Sequence, residues 1–344
     1  MGDANEGSGG DGTTASTSGS APSGASLSDL VGRLRDSVVG RVREIELVVA
    51  AIASDRHIII EGPPGTGKST LLRSVAGELG IGFEFVEGNA ELTPSRVVGH
   101  FDPARVLTEG YDPEVFVPGP LLSALRDGSL LYIEELNRVP EETLNVLITV
   151  MSEREITVPR FGRVEAAPGF RMVAAMNPFD AVGTARISGA VYDRVCRVAV
   201  GYQSPEDEEA IVRRVVRESI VADDVAPDSD PALTRVDLVV ELVRATRGHP
   251  DLRVGSSVRG AIDMVLVANS LAELRSASPL HPSVSLDAAL VALSGRVRKR
   301  EGSTRTPEDI VTELWEQIFA RTTGEEGASG EGKASAPTGA TTSS

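Results

Sequence analysis

The chain has a single cysteine, few aromatic residues and no long apolar run. Cys196 is the only cysteine among 344 residues, so no intramolecular disulfide can form, as is typical of proteins from a reducing compartment. Aromatic residues make up 4% of the chain and hydrophobic residues 41%, so the core must be built mainly from aliphatic side chains. No apolar run reaches the roughly 18 residues of a membrane-spanning helix, and the acidic, Gly-rich start does not resemble a signal peptide. We therefore expect a cytoplasmic protein without a membrane span.

Positive charge is also scarce. The chain has 34 Lys and Arg against 50 Asp and Glu, which gives a formal net charge of −16. Binding to duplex nucleic acid requires a basic surface that displaces counterions. The composition therefore argues against nucleic acid as a partner. We interpret the one basic cluster, RVRKR at 296–300, as the solvated end of a helix.

Composition and periodicity divide the chain into four segments. Residues 1–25 and 323–344 are mostly Gly, Ser, Thr and Ala, which bury too little apolar area to offset the entropy of ordering, so we predict disordered tails. Strand-like runs alternate with helical patterns over residues 26–203, which predicts an α/β domain with a mostly parallel sheet. Strand signals then fade, and four helical patterns predict a small all-α domain over residues 204–322.

Capping residues mark several of the predicted helix starts. Ser26 with Asp29, and Thr306 with Asp309, have the spacing of a capping box, in which each residue bonds the other's backbone N–H. These pairs predict helices that begin directly after Ser26 and Thr306.

Residues 62–69 read GPPGTGKS and match the P-loop pattern G-x-x-x-x-G-K-[ST]. A β-branched run precedes them and a helical pattern follows, which is the context that the motif requires. We predict that backbone N–H groups bind the phosphates of a magnesium nucleotide, that Lys68 reaches the β- and γ-phosphates and that Ser69 binds Mg²⁺. The alternative, a glycine-rich loop that binds nothing, leaves the complete motif unexplained. The predicted nucleotide-binding residues here are Gly62, Pro63, Pro64, Gly65, Thr66, Gly67, Lys68, Ser69 and Thr70.

Two adjacent carboxylates, Glu134 and Glu135, end the apolar run LLYI. Burying like charges is costly unless a cation compensates. Beside a P-loop, Glu134 is predicted to hold Mg²⁺ through its water shell, and Glu135 to orient the attacking water. Alternatively, the pair simply precedes the acidic first turn of a solvated helix.

Four further polar residues lie at the ends of predicted elements. Asn177 ends a strand run, where it either caps a turn or faces a ligand. Arg194 precedes a short apolar run, and Arg259 opens a helix, where a cation gains little unless an anion offsets the helix dipole. From the residues alone, both arginines are equally explained as surface charge. His57 starts the first strand and is interpreted as structural.

Taken in order, these motifs resemble those of the MoxR family of AAA+ ATPases, over about residues 36–320. The segment VVGRVREIE resembles the part of the family that lies against adenine, which implies that Val38 and Gly40 contact the nucleotide. FDPARVLTEGYDPEVFVPGPL resembles the helix-2 insert, and EREITVPRFGRVEAAPGF the hairpin before sensor 1. By resemblance, Asn177 is sensor 1, Arg194 the arginine finger offered to the next subunit, and Arg259 sensor 2.

The resemblance implies a P-loop AAA+ parallel-sheet core that carries both inserts, followed by a small all-α lid domain. It also implies an ATPase that hydrolyses ATP with Mg²⁺ as cofactor and remodels a protein client. The family resemblance further implies a homo-oligomeric ring, expected to be a hexamer, and as partners a von Willebrand factor A domain protein and its client enzyme. Three residues depart from the family pattern: Glu134 replaces Asp, Val195 an aromatic residue, and Val258 Pro.

Two other functions are compatible with a P-loop. A nucleic-acid motor or loader of the same AAA+ branch is disfavoured by the charge of −16 and the scarcity of aromatic residues for base stacking. A small-molecule kinase would need neither Arg194 in trans nor the inserts.

Overall fold

Strands and helices alternate over the first part of the chain, and helices predominate after it. The structure is a computed structural model that describes residues 26–178, 187–219 and 235–328. The α-helices are α1 (Leu27–Ser37), α2 (Val42–Ala53), α3 (Lys68–Leu79), α4 (Pro94–Val98), α5 (Pro103–Glu109), α6 (Pro120–Asp127), α7 (Glu141–Glu153), α8 (Gly189–Tyr192), α9 (Pro205–Ser219), α10 (Val236–Gly248), α11 (Val258–Arg275), α12 (Pro282–Leu293) and α13 (Pro307–Ala328).

Strands form one five-stranded sheet and three two-stranded antiparallel pairs among the described residues. The strands are β1 (His57–Glu61), β2 (Phe83–Glu87), β3 (Gly99–Phe101), β4 (Phe116–Pro118), β5 (Leu130–Glu134), β6 (Glu155–Val158), β7 (Gly162–Glu165), β8 (Arg171–Met176), β9 (Val195–Ala199), β10 (Leu252–Val254) and β11 (Arg298–Lys299). Short 3-10 helices cover Pro113–Val115 and Leu136–Arg138.

The main sheet has the strand order β2-β5-β8-β1-β9, and all of its pairs are parallel. Helices cover both faces, so the strands are apolar at consecutive positions rather than at alternate ones. Ile58 and Ile60 pack with α1, α2 and α3 on one face, and Ile59 packs with α4, α6 and α7 on the other. The predicted α/β fold with a parallel sheet is confirmed.

Parallel pairing brings the carboxyl ends of the central strands to one edge of the sheet. Glu61 at the end of β1 pairs with Met176 at the end of β8, and Glu87 of β2 pairs with Glu134 of β5. Glu134 is the last residue of β5, and the P-loop, Glu135 and Asn177 directly follow the ends of β1, β5 and β8. Residues far apart in sequence therefore meet at this edge.

The two expected inserts are present as antiparallel hairpins, β3–β4 with α5 between its strands, and β6–β7. They contact each other through aromatic side chains. The rings of Phe116 and Phe161 lie 4.5 Å apart, and the Arg160 guanidinium lies 3.8 Å from the centre of the Tyr111 ring.

The helical domain has five helices in the described residues, α9 to α13, around its own apolar core. The prediction of four was wrong because it missed α10, a Val-rich helix whose N-cap, Arg235, makes no side-chain capping bond. The interpretation of 296–300 as a helix end was also wrong, since Arg298–Lys299 pairs with Leu252–Val254 as a strand. Helix α13 continues through Ala328, into the segment expected to be a tail.

The predicted capping boxes are confirmed. The Asp29 amide donates to Ser26 Oγ at 3.2 Å, and the Ser26 amide donates to Asp29 Oδ2 at 3.1 Å. Thr306 and Asp309 make the same reciprocal pair, at 3.0 and 3.1 Å. Within the described ranges, no helix is both long and apolar enough to cross a membrane.

His57, the first residue of β1, makes folding stability depend on pH. It is buried, and its Nδ1 accepts a hydrogen bond from the Met172 amide at 2.9 Å. Burial, assisted by the positive charge of Arg154, lowers the pKa of His57 to about 4 from 6.5. Between pH 6.5 and pH 4, His57 binds a proton in the unfolded chain and stays neutral in the folded one. The stability contributed by neutral His57 is therefore present above pH 6.5 and is lost as the pH falls towards 4.

We expect this loss to lower the free energy of unfolding by about 2 kcal/mol between pH 7 and pH 5. Denaturant titrations at the two pH values would measure it, with His57→Asn as the control, because the Asn amide oxygen accepts a hydrogen bond without titrating. A decrease of equal size in both proteins would contradict the prediction.

Candidate nucleotide site

The P-loop joins β1 to α3 in a tight turn that glycines permit. Gly65 (φ 71°) and Gly67 (φ 78°) adopt the left-handed conformation, which residues with a Cβ rarely enter. Gly67 is also the N-cap of α3, so the loop leads into the free N–H groups of the first helical turn. Such a turn at a helix N-terminus is a favourable site for phosphate.

Lys68 lies beneath this loop with its charge compensated. Its Nζ donates to the carbonyl oxygens of Gly62 and Pro63, both at 2.9 Å, and the side chain is buried. Burial lowers the pKa of Lys68, whereas the negative charges of Glu134 and Glu135 raise it. The ammonium group is therefore held between the loop and the two carboxylates, where it can pair with a phosphate oxygen.

Ser69 and Glu134, the predicted metal ligands, lie next to each other. Ser69 Oγ is 3.1 Å from Glu134 Oε1 and 3.2 Å from Oε2. Mg²⁺ prefers oxygen ligands and is usually held by one or two protein groups together with water and phosphate oxygens. No cluster of three or more His, Cys, Asp or Glu suited to a metal occurs in the described part of the chain. The residues present therefore fit Mg²⁺ bound together with a nucleotide, and the longer side chain of Glu134 still reaches Ser69.

Glu135 adopts a strained backbone conformation. It has φ 54° and ψ 46°, a left-handed conformation that costs a non-glycine residue about 1 kcal/mol or more. Its Oε2 lies 3.5 Å from Arg138 Nε and has no hydrogen-bond partner among the described residues. Strain combined with a carboxylate oxygen that has an ion-pair contact but no hydrogen bond is typical of a residue that receives a hydrogen-bond partner from a ligand or a water.

Asn177 follows β8 and lies beside a second asparagine that sequence analysis missed. Asn137, in the turn after Glu135, is buried and donates from Nδ2 to the Asn177 carbonyl at 3.5 Å. Its Oδ1 has no hydrogen-bond partner within the described ranges. The only sequence signal for Asn137 was a polar residue in the short turn directly after the carboxylate pair.

A cleft of about 430 Å³ opens beside the P-loop, between the α/β core and the helical domain. This volume lies in the range that holds nucleotide-sized ligands, 300 to 1,000 Å³. Its apolar walls suit the flat faces of a base; they are formed by Val38, Val39, Ile211, Val215, Val258 and Ile262, and Gly65, Gly67 and Thr70 line its inner end. Gly40 does not line the cleft. It packs against α9, where a Cβ would come within 2.5 Å of the Asp207 side chain.

Two arginines face the P-loop, one predicted and one missed. Arg259, in the first turn of α11, lines the cleft, and its charge lowers the pKa of Lys68 after the larger effect of burial. Its neighbour Ser257 packs on the loop so closely that a Cβ at Gly65 would lie 2.2 Å from Ser257 Oγ. Arg41 is buried and donates to the carbonyl oxygens of Thr66 at 2.8 Å and Gly201 at 2.7 Å. Arg41 therefore joins the P-loop to the segment before α9.

Arg194 lies away from this site. It directly precedes β9, whose Val195 pairs with His57 at the start of β1, so Arg194 is about 20 Å along the strand direction from the P-loop. Its Nε donates to Ser152 Oγ at 2.5 Å, and its Nη1 to the Ala190 carbonyl at 2.8 Å. The structure brings the other predicted site residues, except Gly40, to one edge of the sheet or into the adjoining cleft and leaves Arg194 at the opposite edge.

Known sequences match the chain over this region. The sequence model of the AAA domain family (dynein-related subfamily) matches residues 57–195. Protein MoxR of Methylorubrum extorquens is 32% identical over 201 residues, which are 58% of this chain and 54% of that protein. Chaperone MoxR1 of Mycobacterium tuberculosis is 27% identical over 264 residues, 69% of this chain and 66% of that protein. The match thus spans between half and two thirds of the length of these relatives.

Among solved structures, the RuvB Holliday junction branch migration motor of Thermotoga maritima aligns with a TM-score of 0.48 at 15% sequence identity, over 75% of this chain and 72% of that chain.

The parallel sheet, the P-loop between β1 and α3 and the match to the AAA domain define a P-loop protein of the AAA+ class. Within that class, the chain is similar to MoxR proteins, the name that both of these curated relatives carry.

Proposed function

We propose that the chain hydrolyses ATP with Mg²⁺ and uses the energy to remodel a protein client. The observation that carries this proposal is the contact of Ser69 with Glu134, 3.1 Å apart, beside the P-loop lysine and next to Glu135. A hydroxyl and a carboxylate at this point of a P-loop fold are the groups that hold Mg²⁺ on a nucleotide.

Each residue near the P-loop has a chemical role in this proposal. The loop amides and Lys68 bind the phosphates, and Ser69 and Glu134 would hold Mg²⁺, which when bound neutralises charge on the β- and γ-phosphates. Glu135 accepts a hydrogen bond from the attacking water and so orients it. Asn177, supported by Asn137, contributes a polar group at the same edge.

Residues around the cleft complete the proposed nucleotide site. Val38 contacts the base in the apolar cleft, and Gly40 allows the segment before α2 to pack against α9. Arg259 reaches the phosphates from the helical domain, so the nucleotide would link the two domains. The contact of Ser257 with the P-loop supports this arrangement.

We propose that a neighbouring copy completes each site, in a ring expected to be hexameric. This is supported by the position of Arg194, which lies at the edge of the sheet opposite its own P-loop and lines a separate cleft of about 380 Å³. A cation that stabilises the charge of phosphoryl transfer has to reach the nucleotide. From this position Arg194 would reach a nucleotide held by the next subunit.

The proposed partners are a von Willebrand factor A domain protein and the enzyme that it accompanies, in the cytoplasm. Support comes from the similarity to proteins named MoxR and from the name of the M. tuberculosis relative, a chaperone. The paired inserts are the proposed elements that transmit force to the client, because the contact between Phe116 and Phe161 would make them move together.

The test traps the ATP-bound state. Glu135→Gln preserves the size of the side chain but removes the negative charge that orients water. We expect it to bind ATP as the wild type does and to hydrolyse ATP at least about 100-fold more slowly. Lys68→Ala, which loses the phosphate contact, is the matched control that should not bind ATP. Fluorescent-nucleotide binding and phosphate release would measure both properties.

A second experiment tests the identity of the client. Tagged Glu135→Gln is incubated with ATP in extract of the source cells and purified by its tag. We expect mass spectrometry to find a von Willebrand factor A protein and its enzyme with Glu135→Gln and not with Lys68→Ala. Recovery of DNA-processing proteins instead would favour a nucleic-acid motor. Absence of nucleotide binding in the wild type would reject the whole proposal.

A further inference from the structure

Tyr132 contacts the proposed metal site, although sequence analysis gave it no role. It lies on β5 two residues before Glu134, so both side chains point to the face of the sheet that carries α3. The residue is completely buried, and its hydroxyl oxygen lies 3.1 Å from Ser69 Oγ. A phenol deep inside an aliphatic core is costly unless its hydroxyl is hydrogen-bonded, and Ser69 is the partner that the structure provides.

The donors and acceptors in this group can be assigned. The Ser69 hydroxyl donates its one proton to the Glu134 carboxylate, which accepts it. The Tyr132 hydroxyl, protonated at neutral pH, then donates to Ser69 Oγ. Ser69 Oγ has two acceptor lone pairs, of which Tyr132 uses one. The other remains available to a cation.

The ring of Tyr132 is held in place from β2. The rings of Phe83 and Phe85 each lie 5.7 Å from it, and the Arg73 guanidinium lies 5.0 Å from the centre of the Phe83 ring. This packing fixes the direction of the phenol, because the ring has no room to turn away within a close-packed interior.

We propose that Tyr132 is a positioning residue for Mg²⁺: its hydroxyl orients the Ser69 hydroxyl so that Ser69 donates to Glu134 and offers its free lone pair to the metal. This inference rests on the proposed function.

Tyr132→Phe removes only the hydroxyl oxygen and keeps the ring packing. One hydrogen bond to the metal ligand is worth a factor of about three to ten. We therefore expect the Mg²⁺ concentration for half-maximal binding of a fluorescent ADP to rise by about threefold to tenfold. Affinity for the same nucleotide in EDTA should not change. Tyr111→Phe is the matched control, because Tyr111 is half-exposed on an insert, and it should behave as wild type in both assays.

A double variant shows whether Tyr132 acts through the Ser69 hydroxyl or only through the packing of its ring. In Ser69→Ala, the hydroxyl that Tyr132 orients is absent, so adding Tyr132→Phe should have no further effect on the Mg²⁺ dependence, as expected when two residues act through one contact. Thermal unfolding without metal would show that all variants fold.

The outcomes are distinct. A shift with Tyr132→Phe alone that disappears in the Ser69→Ala background supports the inference. If the wild type binds nucleotide in an Mg²⁺-dependent way and Tyr132→Phe matches it, or shifts equally in both backgrounds, the role of Tyr132 is wrong and the proposed function stands. A wild type that binds no nucleotide overturns both.

Discussion

Arg194→Ala is expected to bind ATP as tightly as the wild type and to hydrolyse it about 10³ to 10⁵-fold more slowly. Binding should persist because Arg194 lies at the opposite edge of the sheet from its own P-loop and lines a different cleft. Hydrolysis should fail because a cation that meets the γ-phosphate from the neighbouring subunit acts mainly on the transition state. Steady-state phosphate release and nucleotide binding on the same preparation would measure the two effects.

Mixing two inactive variants shows whether Arg194 acts between subunits. Arg194→Ala retains an intact nucleotide site, and Glu135→Gln retains an intact Arg194. Rings that contain both should recover part of the activity wherever a Glu135→Gln subunit offers its arginine to an Arg194→Ala site. Arg35→Ala, which removes a half-exposed arginine of α1, is the control and should be fully active alone. Unchanged turnover in Arg194→Ala, or mixtures no more active than their components, would reject the trans role.

The parts of the site that were predictable are those that a short segment defines by itself. The P-loop match specifies its glycines, Lys68 and Ser69 within eight residues. Glu134 could be placed beside Ser69 from a general property of parallel sheets, since carboxyl ends of neighbouring strands share one edge. Both predictions depend on local chemistry and one rule of topology.

The residues that sequence analysis missed depend on contacts between distant segments. Arg41 lies in the segment VVGRVREIE but was given no role, and its position becomes informative only because it bonds Gly201, 160 positions further along the chain. Tyr132 is one more apolar position in a buried strand until the fold brings it to Ser69, 63 positions away. The strand Arg298–Lys299 forms because Leu252–Val254 pairs with it, a partner that its charged sequence does not reveal.

The helical domain depends on one buried carboxylate at its connection to the core. Glu208, in the first turn of α9, is 1% exposed, and its oxygens lie 2.9 Å from Arg244 and 2.8 Å from Arg247. Arg247 also donates to the Ser256 carbonyl at 2.7 Å, and its guanidinium lies 3.9 Å from the centre of the Tyr202 ring. Glu208 therefore links the segment between the domains to the loop that carries Arg259 to the P-loop.

Glu208→Ala should lower the free energy of unfolding by about 3 to 5 kcal/mol, because removing one partner of a buried ion pair leaves the other charges uncompensated. Glu209→Ala is the matched control: its carboxylate pairs with Arg213 at 3.8 Å near the surface, and such pairs contribute less than about 1 kcal/mol. Urea titrations of both variants would compare them, and equal losses would contradict the role of Glu208. Because the same network holds the loop before Arg259, Glu208→Ala should also bind ATP more weakly than Glu209→Ala at urea concentrations where both remain folded.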